Sequence, residues 1–139
     1  MSEEKRKVRY RGWIGVDLDG TLAEYHGFES LEHIGRPVPA MLSRVKTWLK
    51  EGQEVRIVTA RVGPGLDQKD INNALRAITH WCFKHVGCQL PITCSKDYGM
   101  IELWDDRCIQ VIPNTGLQVG SLSQTIPILN QELKNGMEE

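Results

Sequence analysis

The stretch W-I-G-V-D-L-D-G-T-L, Trp13 to Leu22, decides how this chain is read. Trp13 to Leu18 is a short apolar run that stops at Asp19-Gly20, the pattern of a fully buried strand in a parallel sheet. Two carboxylates, Asp17 and Asp19, are thereby held where a strand ends and the chain begins to turn. Acids this close repel, so both stay ionised only if a cation or hydrogen bonds compensate; otherwise one keeps its proton. Either state suits a site in which one carboxylate attacks while its neighbour trades a proton. Gly20 lets the backbone bend sharply enough to aim nearby amides at an anion.

Downstream, strands and helices alternate. Pro39 to Glu51 sets Leu42, Val45, Trp48 and Leu49 on one helical face, with Gly52 where a left-handed cap belongs. Glu54 to Thr59 is rich in β-branched residues and reads as a strand with Thr59 at its carboxyl end. Asp67 caps a second predicted helix, whose Ile71, Leu75, Ile78 and Cys82 share a face and which Gly87 stops. Leu90 to Cys94, Met100 to Trp104 and Ile109 to Ile112 are further strand candidates, and Ile126, Leu129 and Leu133 line a last helix from Ser123 onward. This order predicts an α/β, three-layer Rossmann-like sandwich, with a mainly parallel sheet and helices on both faces. Ligands of such sheets bind outside the carboxyl ends of the strands, where Asp17, Thr59, Lys96 and the pair Asp105-Asp106 fall.

The whole chain bounds the reading. Its 139 residues, 40% hydrophobic and 25% charged, fit one folded domain over 1–139, with a basic segment at 1–12 and a C-terminal segment at 114–139. A net charge of -1 gives no general pull on nucleic acid, although the run Lys5 to Arg11 keeps that partner open without favouring it. No apolar stretch is long enough to cross a bilayer and the first residues lack the layout of a secretory signal, so a cytoplasmic protein without a membrane partner is expected. The four cysteines, Cys82, Cys88, Cys94 and Cys108, lack paired spacing and read as buried thiols rather than a zinc site.

Asp105-Asp106 follows the apolar segment Ile101 to Trp104 and supplies hard oxygen ligands, for which magnesium is the expected ion. Lys96 offers a point charge and Thr59 a hydroxyl to a phosphoryl group. Each feature alone has a bland explanation: D-G-T is a common turn, an Asp pair is usually solvated, and a lone Thr or Lys is ordinary strand or surface. Their occurrence in one order, each at an expected strand end, is what carries weight.

On these residues the chain resembles the haloacid dehalogenase superfamily of phosphatases. The family's D-x-D-G-T-L matches Asp17 to Leu22, its strand-ending Thr matches Thr59 in Val58-Thr59-Ala60-Arg61, its Lys is best matched by Lys96, and its acidic pair matches Asp105 and Asp106. The likeness runs from about Trp13 to Pro113. It implies that Asp17 attacks phosphorus and Asp19 protonates the leaving oxygen, then deprotonates water. It also implies that Asp17, the Asp19 carbonyl, Asp105 and Asp106 hold Mg2+, and that Thr59, Lys96 and the backbone at Leu18, Gly20, Thr21 and Ala60 bind phosphate. The implied activity is hydrolysis of a phosphate monoester of a small metabolite, a nucleotide or sugar phosphate. Removal of terminal phosphates from nucleic acid, phosphotransfer to another acceptor, and a non-catalytic binding module of the same fold are the alternatives. Between Leu22 and Pro39 there is room for a flap but no cap domain, so the resemblance is to the minimal capless type, and a neighbouring subunit as lid leaves a homo-oligomer open. Tyr25, His26, Phe28, His33 and Arg36 of the flap are candidates for substrate contact, and Arg61 and Arg107 for substrate contact or a supporting salt bridge.

Overall fold

In the computed structural model, which describes residues 12–120, the deciding stretch forms strand β1, Trp13–Asp17, buried along four of its five residues. It can be buried so completely because it is interior to the sheet. β2 (Glu54–Val58) pairs with it on one side and β4 (Met100–Trp104) on the other, while β3 (Ile92–Thr93) pairs with β2; the order is β3-β2-β1-β4 and every pairing is parallel. The fold is α/β and Rossmann-like. Parallel neighbours need crossovers, and two helices supply them: α1 (Pro39–Lys50) between β1 and β2, and α2 (Gln68–His85) between β2 and β3.

The register explains which residues meet. Ile14 lies opposite Val55, and Val16 opposite Ile57, so these four point to one face of the sheet. On that face they form one core with Met41 and Val45 of α1 and Ile78, Trp81 and Cys82 of α2. Both described helices therefore cover the same face, as two successive crossovers running in one direction require. The opposite face carries Arg56 stacked 4.4 Å over the Trp13 ring, and leaves Ile101 and Leu103 exposed. The further helix expected from Ser123 onward, and the basic segment 1–12 apart from Gly12, lie outside the described residues.

Local chemistry sets the helix ends. Pro39, which lacks an N–H, opens α1, and Asp67 accepts the Asp70 amide at 2.8 Å to start α2. The buried face of α2 is Ala74, Ile78, Trp81 and Cys82, turned from the expected Ile71-Leu75-Ile78-Cys82 stripe because Trp81 reaches inward and donates its indole N–H to the Gly35 carbonyl, 2.9 Å away. β3 is shorter than the expected Leu90 to Cys94. Pro91 precedes it and has no amide to give to the ladder, although its carbonyl accepts from Ile57 at 2.8 Å.

The chain divides into two compact units, Met1–Asp106 and Arg107–Glu139. The sheet and both helices belong to the first. In the described part of the second, Ile109 to Ile112 does not form the expected strand; a single antiparallel bridge joins Val111 to Gln118, and Ile112 donates to the Leu117 carbonyl at 2.8 Å. Ile109 and Val111 are exposed there, and β-branched residues without a neighbouring strand to pack on do not make a strand by themselves.

Candidate functional site

Asp17 is the last residue of β1 and lies in register with Val58, one residue before Thr59, so both side chains stand at the carboxyl edge of the sheet. Asp105 and Asp106 follow β4 directly on the other flank of β1. Trp104 fixes the end of that strand, meeting Trp48 of α1 edge-on at 5.3 Å and lying under Arg44 at 4.7 Å. The result is that Asp17, Asp105 and Asp106 each present an oxygen within 4.8 Å of the others. Oxygens bound at about 2.1 Å to one Mg2+ lie at most roughly 4.2 Å apart, so a small contraction turns this cluster into part of a magnesium shell.

The loop after β1 is built to hold this spacing. Gly20 donates to the Ala23 carbonyl at 2.8 Å, and Ala23 donates to Leu18 at 2.8 Å, folding Asp17 to Ala23 into a tight turn. Gly20 sits at φ +87°, and a Cβ there would come 2.5 Å from Asp106 Oδ2, so only glycine lets the turn lie against the second acidic strand end. The Thr21 hydroxyl lies 3.2 Å from Asp17 Oδ2 and 3.3 Å from Asp106 Oδ1, and accepts the Asp106 amide at 3.0 Å. Thr21 thus bridges the acids with its side chain. The backbone amides of Gly20 and Thr21, expected to face phosphate, are used inside the turn, Thr21 donating to Leu18 at 3.3 Å.

Electrostatics matches the crowding. Burial first, then the hydrogen bond with Asp106 and the charges of Asp105 and Asp106, push the Asp17 carboxyl up from 3.8 to about 7, against the lowering effect of the Thr21 hydroxyl. A divalent cation is the natural counterpart of such a cluster, and the donor set, carboxylates at a half-open edge, suits Mg2+.

Asp19 has a different environment. Arg61 grips it with both prongs of the guanidinium, Nε to Oδ2 at 2.7 Å and Nη2 to Oδ1 at 2.8 Å. Arg61 lies in the short 3-10 turn Ala60–Val62 after β2, whose first amide bond is to Thr59: the Thr59 Oγ1 accepts the Arg61 amide at 3.2 Å. Thr59 is itself buried and donates its amide to the Thr93 carbonyl at 2.8 Å, while Ala60 is exposed. The flap, residues 24–36, is closed at its base by Glu24 donating to Arg36 and Val38 donating to Leu22, both at 2.8 Å. Beneath it a cleft of about 320 Å³ is lined by Asp19, Arg61, Glu24, His26, His33 and Arg36, among others. His26 is exposed and lies 3.8 Å from Glu24. Shallow grooves of about 380 Å³ along α1 and α2 bring no acids together.

Not every expected residue joins the cluster. Lys96 lies in the loop between β3 and β4, exposed, and pairs with none of the three acids among the described residues. Its neighbour Asp97 anchors that loop instead, accepting from the Trp13 indole at 2.8 Å and the Gly99 amide at 2.7 Å, which with Arg56 hold its carboxyl below the usual range. Arg107 opens the second unit. Of the cysteines only Cys82 is buried, its thiol pushed up to about 11 mainly by burial; Cys88, Cys94 and Cys108 are exposed, which corrects the expectation of four buried thiols, and no disulfide forms among them. The grip of Arg61 on Asp19 and on the flap was signalled in the sequence only by its place beside Thr59.

No family model matches the chain, and no curated protein matches it. Among solved structures, the chain is similar to a conserved protein from Bacteroides thetaiotaomicron at 18% identity and a TM-score of 0.48, over 90% of this chain and 91% of that one. No helix among the described residues is long and apolar enough to cross a membrane.

Proposed function

We propose that the chain is a magnesium-dependent phosphomonoesterase of the haloacid dehalogenase type, working through an aspartyl phosphate on Asp17. The observation that carries the reading is the convergence of Asp17, Asp105 and Asp106 from two adjacent strand ends. Asp17, Asp105 and Asp106, with the Asp19 carbonyl, would hold Mg2+, which when bound neutralises charge on phosphoryl oxygens. Asp17 attacks phosphorus as the ester P–O bond breaks, and the leaving oxygen takes a proton carried by Asp19. The same carboxylate then removes a proton from the water that cleaves the acyl phosphate. Thr59 and the amides near Leu18 and Asp19 bind phosphate, with Lys96 of the loop between β3 and β4 as the cation for its charge.

The cleft under the flap is small and lined by both acidic and basic side chains, which favours a small phosphorylated metabolite such as a nucleotide or sugar phosphate. Three exposed cysteines without a disulfide favour a reducing, cytoplasmic setting. A panel of such esters, assayed with Mg2+ and with chelator, tests the reading. Chelation and Asp17→Asn should each lower turnover by about 10³-fold or more. Full turnover by the Asn variant would remove Asp17 as nucleophile.

A further inference from the structure

Arg61 is the one charged side chain buried among the described residues. Burying a guanidinium is unfavourable unless its donors are matched, so where those donors go shows what the site is built to hold. Nε and Nη2 take the two oxygens of Asp19 at 2.7 and 2.8 Å, and Nη1 donates to the backbone carbonyls of Leu31 at 2.7 Å and Ser30 at 3.1 Å. The planar fork fixes the plane of the Asp19 carboxylate, which a point charge does not. The same group holds the middle of the flap, whose base bonds lie at Glu24, Arg36 and Val38. The 3-10 turn and the Thr59 hydroxyl in turn fix the backbone of Arg61 to the end of β2.

We infer that Arg61 is a positioning residue, which sets the orientation of the Asp19 carboxylate and couples it to the order of the flap. This rests on the phosphatase reading and adds to it. An alkyl phosphate needs an oriented acid, because its alkoxide is a poor leaving group. An aryl phosphate such as 4-nitrophenyl phosphate needs much less help, because its phenolate leaves readily. A displaced acid should therefore slow the first ester selectively.

Arg61→Lys keeps the charge and the stem but loses the fork. With glycerol 2-phosphate and Mg2+, its kcat should fall on the order of 10²-fold with little change in KM, while kcat on 4-nitrophenyl phosphate falls far less. Amide exchange across residues 28–33 should quicken in the same variant. Asp19→Asn and Arg61→Gln, which weaken the fork from either side, should quicken it too and serve if the Lys variant does not fold. Equal loss on both esters, or flap exchange identical to the wild type, overturns the inference. If the wild type hydrolyses neither ester, the phosphatase reading fails on its own, and the exchange measurement still decides whether Arg61 holds the flap.

Discussion

Asp17 and Asp19 are the same residue type, two positions apart on one turn, and their surroundings are opposite. Asp17 faces two further acids with the Thr21 hydroxyl among them, and its proton affinity is raised to about 7. Asp19 faces a buried guanidinium that occupies both of its oxygens. The first arrangement gathers three carboxylates, which a divalent cation would complement on the proposed reading; the second is paired with Arg61. On the proposed reading, environment rather than residue type gives the two carboxylates different tasks, one toward metal and phosphorus and the other toward the leaving group.

The largest effects should separate the pair. Asp17→Asn should abolish turnover of every ester alike, because it removes the attacking atom. Asp19→Asn should cost about 10²- to 10⁴-fold on alkyl esters and much less on 4-nitrophenyl phosphate, because it removes only proton transfer. Steady-state kinetics on the two esters checks this. Identical profiles for the two variants would break the contrast between them.

A smaller effect concerns stability without metal. The Asp17 carboxyl binds its proton more tightly in the fold, at about 7, than its ordinary 3.8. The stability it lends is therefore complete below about pH 4 and lost as pH rises through 7. Metal-free wild type should melt at a lower temperature at pH 8 than at pH 5, by a few degrees more than Asp17→Asn, whose side chain does not titrate. Adding Mg2+ at pH 8 should return the difference. Equal pH dependence in the two proteins would show that the acids do not crowd.

How far the sequence reached differs in the same way between the two regions. Asp17 and Asp105-Asp106 were legible because each directly ends an apolar run, and a strand's end is a local property. The 4.8 Å convergence follows from parallel pairing of β1 with β4, a strand order that no local pattern states. Arg61 was legible as a candidate for a supporting salt bridge, but its partner Asp19 was not, since the fork joins residues 42 apart through a turn whose geometry no periodicity encodes. The α2 face was misjudged by part of a turn because Trp81 serves a distant carbonyl, and Ile109 to Ile112 because strand propensity is realised only beside a partner.

On the proposed mechanism, Asp17 carries phosphate during turnover. Acid-quenching the Mg2+-loaded protein during hydrolysis of 4-nitrophenyl phosphate, followed by peptide mass spectrometry, addresses it directly. A phosphoryl group on Asp17, absent from Asp17→Asn and from chelated protein, is the predicted result. Turnover at full rate with phosphate on another residue, or with no phosphorylated protein even when the second step is slowed by Asp19→Asn, would contradict it.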